Sequence, residues 1–213
     1  MRLQLASGLS RVFALGSLVM AAACVQAPSA LNGRSSDFIV VSDFAVPEGA
    51  VRLDPTMGFS LYRGDPGVPK AQRAASVGRA VSFLVTDTVV DRLRARGYDT
   101  VSTTNPNPSN SGYRALIVSG TLSTVDEGNR RHAGDEHSAV IGQVNISAEL
   151  PGGGTQRVQS FAVDSRSAPP ATANNGATSR ETGVDADATR VGAEIARVVA
   201  EIARRNNWLP ATR

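Results

Sequence analysis

Residues 37–46, DFIVVSDFAV, give the clearest indication of the fold of this chain. The run is almost continuously apolar, it is rich in β-branched and aromatic residues, and polar turns bound it. Such a run is typical of a strand that is covered on both faces, as in a sheet with helices packed against it. The sequence therefore predicts a buried strand at the start of an α/β domain.

The clearest helix follows, from Lys70 to Arg96. A proline- and glycine-rich connection, residues 47–69, precedes it, and we expect little regular structure there. Gly97 is a helix-stop residue, and a strand over 98–102 comes next. This order predicts a βαβ unit. The apolar positions of the helix recur at spacings of three and four: Val77, Val81, Leu84, Val85, Thr88 and Leu93.

The middle of the chain predicts three further strands. Residues 115–122 form the first, which 123–126 extend, with Gly120 at a crowded point. Residues 140–150 alternate between apolar and polar side chains, which indicates a strand with one apolar face. The Pro-Gly-Gly-Gly turn at 151–154 then joins this strand to a hairpin partner over 155–165.

The last predicted element is an amphipathic helix. Asp185 is predicted to cap its first turn. We expect two ion pairs on its polar face, Glu194 with Arg197 and Glu201 with Arg205. The opposite stripe is apolar, at steps of three and four: Ala188, Val191, Ile195, Val198 and Ile202. Trp208 is predicted to pin the C-terminus onto the sheet.

Together these elements predict a single α/β domain over residues 37–209, with 210–213 as a tail. We expect a mixed sheet of about five strands with two long helices packed on it. Removal of residues 1–23 from the 213-residue chain leaves 190 residues, which suits one domain with a substantial core.

The first residues have the pattern of a secretory signal peptide, residues 1–23. Arg2 and Arg11 precede a short apolar run that leads to three alanines and then Cys24. Cys24 is the only cysteine, and it stands where a bacterial lipoprotein carries its lipid, although the lipobox leucine is missing. Cleavage without lipid, which would leave a free thiol, is the alternative. A membrane span needs about 20 apolar residues, and the run from Val12 to Ala23 is too short for an uncleaved anchor.

Residues 24–36 are the lipid-attachment cysteine and a polar segment typical of a flexible tether. Val25 lacks the aspartate associated with inner-membrane retention in enteric bacteria, so we expect the outer membrane, facing the periplasm. Without Arg2 and Arg11 the chain has 20 of its 22 basic residues against 19 acidic ones. The basic residues are spread along the chain, which argues against binding to nucleic acid.

Several stretches resemble domain-of-unknown-function family 4410, which occurs in bacterial envelope lipoproteins. They are Val40–Phe44, Asp91–Tyr98, Leu116–Gly120, Val125–Arg130 and Asn207–Leu209. The resemblance covers roughly residues 37–209, and VDEGNR with the closing WL is its most specific part. The order of elements is also similar to envelope domains of the curli-secretion, peptidoglycan-synthase-activator and TolB amino-terminal type. The resemblance implies a protein-binding role rather than catalysis.

Residues with metal-ligand side chains cluster in one turn, over 127–138. His132, Asp135 and His137 could converge on a metal ion there, with Glu136 beside them, yet their spacing matches no strong zinc motif. No Gly-x-Ser-x-Gly nucleophile motif and no phosphate-binding loop is present. Asp126 and Glu127 lack the oxygen spacing of a calcium loop and are predicted to set a turn. We therefore expect no cofactor and no catalysis, with a metal-assisted hydrolase at His132–His137 as the alternative.

The sequence thus predicts an exported, lipid-anchored envelope protein that acts through protein binding or envelope assembly. Its membrane contact would be the lipid on Cys24, and its partner an envelope protein that the sequence does not name. Because loops on a rigid scaffold carry function, the charged turn at 127–138 is the predicted contact surface. Glu127, Arg130 and Arg131 are the residues expected to contact the partner.

Overall fold

A computed structural model describes residues 38–54, 68–105, 115–129, 137–150, 154–169 and 183–206. These ranges contain six strands and two helices in one α/β unit, which confirms the predicted fold class. In chain order the elements are β1 (Phe38–Ser42), β2 (Val51–Arg52), α1 (Lys70–Ala95), β3 (Thr100–Thr103), β4 (Ala115–Asp126), β5 (Ala139–Glu149), β6 (Thr155–Asp164) and α2 (Val184–Arg205).

The sheet is mixed, with the strand order β3-β1-β4-β5-β6. β1 runs parallel to both β3 and β4, whereas β4, β5 and β6 are joined in antiparallel pairs. The βαβ unit predicted for the first third of the chain is therefore present as β1-α1-β3. β2 pairs in parallel with the end of β4. This two-residue strand lies inside the connection for which we expected little regular structure, and two residues are too few to show a period.

Both helices pack on one face of the sheet, where the main core forms. The alternating residues of β1, β4 and β5 that point to this face are fully buried against α1 and α2. The strand residues among them include Ile39, Val41, Leu116, Val118, Leu122, Val140, Val144 and Ile146. The predicted apolar face of the strand over 140–150 is thereby confirmed for its buried members, although Leu150 is 39% exposed beyond the end of β5.

β1 is buried on both faces, as its continuous apolar run predicts. Val40 belongs to a second, smaller cluster with Ala115 and Ile117, while its neighbours Ile39 and Val41 belong to the main core. The registers Val40↔Ile117 and Phe38↔Ala115 bring the second cluster together on the face that the two helices do not cover.

The predicted helix boundaries hold for α1 and fail in one detail for α2. α1 ends at Ala95, and Gly97 follows with φ 87°, a left-handed conformation that glycine adopts without strain. α2 begins at Val184 with Gly183 as its N-cap, and no side chain caps it, so the capping role predicted for Asp185 is wrong. Because the helix begins one residue before Asp185, this carboxylate lies in the first turn, where it complements the helix dipole.

The apolar stripe of α2 packs on the core as predicted, except that Val199 is buried where Val198 is only partly so. The two predicted ion pairs are present. Arg197 bonds Glu194, with 2.6 Å between Nη2 and Oε1, and Arg205 bonds Glu201.

Two glycines permit close approaches within the core. An ideal Cβ on Gly120 would lie 2.5 Å from the ring of Phe44 and 2.6 Å from the carbonyl oxygen of Gln143, which confirms the predicted crowding. An ideal Cβ on Gly192 would lie 2.7 Å from the Cβ of Thr88, so Gly192 brings α2 directly against α1.

The described residues contain no helix that is both long and apolar enough to cross a membrane. The predicted signal peptide, Cys24, the tether, Trp208 and the 210–213 tail lie outside the described residues, and the interpretations that concern them stay predictions.

Candidate functional site

A cleft of about 980 Å³ separates the N-terminal half of α1 from the chain between β1 and β2. We call it the α1 groove. From Lys70 to Phe83, α1 rises about 20 Å along this cleft. Such a volume is at the upper end of the range typical of binding pockets. Its lining residues are Asp43, Phe44, Val46, Pro47, Glu48, Gly49, Val51, Lys70, Ala71, Ala74, Ala75, Gly78, Arg79, Ser82 and Phe83.

One stripe of α1 faces the groove along its first half and the sheet along its second half. The stripe has steps of four and three, which keep it on one side of the helix: Ala71, Ala75, Gly78, Ser82, Val85 and Val89. Val85 and Val89 are fully buried in the main core, whereas Ala71 and Ala75 are exposed and line the groove. Among the described residues, the groove therefore lies where the inward face of α1 extends beyond the main core.

The opposite wall of the groove is the chain that leaves β1. Ala45 forms a parallel bridge with Thr121, donating its N–H to the Gly120 carbonyl at 3.0 Å and accepting from the Leu122 N–H at 2.8 Å. Ser82 on α1 donates its hydroxyl to the Phe44 carbonyl at 2.6 Å, which ties the two walls together.

The walls meet at the floor of the groove through Gly78. An ideal Cβ there would lie 3.2 Å from Val46 Cγ1 and 3.3 Å from Val51 Cγ2. These distances are tighter than ordinary van der Waals contact, so the missing side chain lets α1 rest directly on both valines.

Charged residues of opposite sign mark the two rims of the groove. Lys70 and Arg79 lie on the helix wall, and Asp43 and Glu48 on the wall that leaves β1. Lys70 is the only lysine of the whole chain. At one end, Phe83 is 67% exposed. An aromatic ring in water beside an apolar cleft is the kind of residue that supplies contact area in protein interfaces.

Glu127 fixes the end of the groove near the start of α1. Its Oε2 accepts the Asp54 N–H at 2.9 Å and lies 3.8 Å from Nη2 of Arg73 on α1. The Glu127 side chain is only 13% exposed. Asp126 sets the turn as predicted, since its Oδ1 accepts the Gly128 N–H at 2.9 Å and Gly128 has φ 70°. The carboxylates of this stretch thus hold β2, α1 and β4 together.

A second cavity, of about 340 Å³, lies at the other end of α1 against α2. Arg96 donates to the Ala196 carbonyl at 2.7 Å, and the Tyr98 hydroxyl to that of Ala200 at 3.4 Å. Burial raises the pKa of Tyr98, and the positive charges of Arg96 and Arg204 partly offset that rise. Because Arg96 and Tyr98 bond main-chain carbonyls of α2, we assign them to docking the two helices.

Most of the residues that the sequence predicted for the site lie outside the part of the chain that the structure describes. Arg130, Arg131, His132 and Asp135 lie outside the described residues, and so does Glu136. His137 is described and exposed, two residues before the start of β5 at Ala139. Among the residues that the structure describes, no three His, Cys, Asp or Glu side chains come close enough to hold a metal ion. The hydrolase alternative at His132–His137 and the contact roles of Arg130 and Arg131 stay predictions.

Sequence reasoning missed the α1 groove. The stripe predicted for α1 begins at Val77, because Ala71, Ala75 and Gly78 carry too little apolar surface to extend a hydrophobic pattern. The composition of α1 was the signal that could have indicated the groove. The first half of the helix has alanines and a glycine at the positions where the second half has valines.

No protein-family model matches the chain, and no match is found among curated proteins. Among solved structures, the chain is similar to the PelC dodecamer from Paraburkholderia phytofirmans, with a TM-score of 0.37 and 16% identity over 77% of this chain and 89% of that one. It is also similar to a neuraminyllactose-binding hemagglutinin homologue from Helicobacter pylori, with a TM-score of 0.33 and 12% identity over 82% and 88%. At these TM-scores neither likeness carries an argument.

Proposed function

We propose that this chain is an exported bacterial envelope lipoprotein that binds another envelope protein in the α1 groove, without catalysis. The observation that carries the proposal is the groove itself, a preformed apolar cleft with an exposed Phe83 at one end. Its anchor would be lipid on Cys24, in the outer membrane facing the periplasm.

The chemistry of the groove supports binding rather than catalysis. Its floor is formed by small and branched apolar side chains, and its charged groups stand on the rims. Within the described part of the chain, Ser82 is the one hydroxyl that lines the groove, and it already donates to the Phe44 carbonyl. The described lining residues include no imidazole or thiol that could activate a nucleophile. Apolar clefts with polar rims mark interaction sites on protein surfaces.

The single lysine offers a direct test of binding at the groove. In cells that express the full chain, a short amine-reactive crosslinker reaches a partner only through Lys70 or the chain's α-amino group. We expect a crosslinked partner that disappears in Lys70→Arg, which keeps the charge and removes the reactive amine.

A matched control moves the amine to the other end of α1. Arg205 lies near the α1 C-terminus, because Ala200 on the same helix contacts Tyr98. The double variant Lys70→Arg, Arg205→Lys should not recover the crosslink. A crosslink that persists in Lys70→Arg, or one that Arg205→Lys restores, would contradict a partner at the groove.

The anchor is tested separately, by metabolic labelling with a palmitate analogue. We expect the wild-type chain to be labelled and Cys24→Ser to be unlabelled. Equal labelling of both would overturn the lipid on Cys24, while leaving the groove proposal intact.

Two of the sequence predictions can be tested in the same preparations. Charge reversal at Arg130 and Arg131 is expected to weaken recovery of the partner if the 127–138 turn also contacts it. Metal analysis of the purified chain tests the hydrolase alternative. Stoichiometric zinc that disappears in His132→Ala would favour the enzyme.

A further inference from the structure

Among the residues that the structure describes, no strand lies beside the wall of the α1 groove on the side away from β4. β3 accompanies β1 from Ile39 to Ser42, and the last ladder bond runs from the Asp43 N–H to the Thr103 carbonyl at 3.0 Å. Beyond Asp43 the chain stays next to β4 on one side, through Ala45 and β2. On its other side lies the groove.

Main-chain polar groups of this wall point away from β4. In an extended chain, successive residues direct their N–H and C=O groups to opposite sides. Ala45 uses both of its groups on β4, so those of Phe44 and Val46 face the other way. Phe44 accepts the Ser82 hydroxyl. Val46 N–H and C=O have no hydrogen-bond partner among the described residues.

Val51 repeats this arrangement on the far side of the Pro47–Ala50 turn. The carbonyls of Ala50 and Arg52 accept the N–H groups of Val125 and Glu127 on the β4 side. The main-chain groups of Val51 therefore face away from β4, as those of Val46 do.

We propose that the α1 groove takes an extended peptide segment of the partner, which adds to the sheet as a strand beside Val46, in line with β3. This inference rests on the proposed function and specifies the kind of segment that is bound. α1 covers the added strand with its small residues, Ala71 and Ala75. The 20 Å that α1 spans along the groove corresponds to about six extended residues.

The free main-chain groups decide between a strand and a helix as the occupant. A helix satisfies its own main chain, so it would cover Val46 N–H and C=O without offering them partners. Each polar group left buried in that way costs about 1–3 kcal/mol. An added strand supplies a partner for each group, and its alternate side chains enter the cleft.

The charges on the rims restrict the sequence of that strand. Lys70 and Arg79 attract acidic side chains on the helix side, while Asp43 and Glu48 attract basic ones on the other. A segment with both signs and little net charge complements both rims, whereas a polyanion such as nucleic acid meets like charge on one of them. The preferred segment is apolar at every second position and carries both an acidic and a basic residue.

The test selects random displayed peptides of about 12 residues, twice the length that the groove spans, on the full chain purified in detergent. Ala75→Trp fills the groove from an exposed position, and Ala80→Trp places the same side chain on α1 outside the lining. Enriched peptides should bind Ala80→Trp as they bind wild type. Binding to Ala75→Trp should fall by about tenfold or more, the equivalent of about 1.4 kcal/mol.

Amide hydrogen exchange at Val46 identifies the binding mode. A strand that adds beside Val46 should slow exchange of its amide by roughly tenfold or more, because that amide gains a hydrogen bond. The enriched peptides should be apolar at alternate positions.

Three other outcomes overturn the inference. Enriched peptides with apolar residues at spacings of three and four, and with fast exchange at Val46, would indicate a bound helix and leave the groove as a binding site. Slow amide exchange at Val46 without peptide would show that another part of the chain already provides a hydrogen-bond partner for this amide. Equal enrichment on wild type and Ala75→Trp would remove the groove as a binding site, and the proposed function with it.

Discussion

The two halves of α1 share one inward stripe but contact different surroundings. In the second half the stripe consists of Val85 and Val89, which are fully buried against the sheet. In the first half it consists of Ala71, Ala75 and Gly78, above a cleft of about 980 Å³. Because the helix continues unbroken through both halves, side-chain size and the extent of the sheet, rather than helix geometry, separate the core from the groove.

This comparison indicates that the second half of α1 contributes to stability and the first half to binding. Buried apolar side chains each contribute about 1.5–3 kcal/mol relative to exposure, and in α1 the large ones begin at Val81. The first half contributes little burial, so substitutions there are expected to change partner binding before they change stability.

The largest effect should come from placing a charge on each half of the stripe. Val85→Asp buries an unpaired carboxylate and should lower the free energy of unfolding by roughly 3–5 kcal/mol. Ala75→Asp, at an exposed position on the same stripe, should change it by less than about 0.5 kcal/mol. Urea unfolding followed by circular dichroism measures both. Similar losses in the two variants would show that the halves do not differ as described.

Replacing Gly192 or Gly78 with alanine should give a smaller difference in stability between the two variants. In Gly192→Ala the new Cβ would lie 2.7 Å from the Cβ of Thr88 and 3.0 Å from the carbonyl of Val85. The helices must then separate, at a cost of about 1–3 kcal/mol. In Gly78→Ala the nearest atoms are side-chain methyls of Val46 and Val51 at 3.2 and 3.3 Å. The gain in helix propensity of about 1 kcal/mol offsets most of that strain.

Thermal denaturation of the two glycine variants checks this ranking. We expect a clear drop in melting temperature for Gly192→Ala and a near-wild-type value for Gly78→Ala. A greater loss for Gly78→Ala would mean that the floor of the groove is as tightly packed as the contact between the helices.

Substitutions on the polar face of α2, which packs on neither half of α1, are expected to change the free energy of unfolding only slightly. The Arg197 guanidinium, hydrogen-bonded to Glu194, holds the pKa of that carboxyl below its ordinary value of 4.5. The pair therefore stabilises the fold above pH 4.5, and this contribution is lost as the pH falls through the lowered pKa. At pH 7, Glu194→Gln should be less stable than wild type by about 0.3–0.5 kcal/mol.

Melting temperatures at pH 7 and pH 3 measure this pH dependence. The difference between wild type and Glu194→Gln should shrink at pH 3, where the carboxyl of the wild type is closer to protonation. A difference that is unchanged at pH 3 would show that the pair does not contribute through its charge.

The smallest expected effect on stability is that of Phe83→Ala. The ring is 67% exposed, so its removal should leave the melting temperature within about 1–2 °C of wild type. The crosslink through Lys70 should nevertheless weaken, because the ring is part of the groove. Val101→Ala, which removes exposed apolar surface from β3 outside the lining, should leave both quantities unchanged. A stable Phe83→Ala variant with an unchanged crosslink would place the partner elsewhere.

Patterns that depend on neighbours in the chain were predictable. The spacing of charges on α2 predicts the Glu194–Arg197 pair, because residues three and four apart on a helix are neighbours whatever the fold. Asp126 and Gly128 form their turn from adjacent residues. The capping role predicted for Asp185 was wrong because α2 begins one residue earlier than the cap required. The exact first residue of a helix is the part that a sequence pattern defines least well.

Patterns that depend on distant residues were not predictable. β2 is a strand only because Val51 and Arg52 meet the end of β4, more than 70 positions later in the chain. Glu127 looks like a surface carboxylate in the sequence, yet it accepts the Asp54 N–H and approaches Arg73.

The α/β class, the two amphipathic helices and the buried first strand follow from the sequence alone, because hydrophobic periodicity is local and reports which face of an element must be covered. The endpoints of neighbouring elements depend instead on how the chain packs in three dimensions: β3 ends opposite Ser42, whereas α1 extends past this point. The α1 groove is the space between these two endpoints. Its lining combines small residues of α1, main-chain groups of the opposite wall and charged side chains on both walls. These groups form a binding surface because the described strands of the sheet do not cover them.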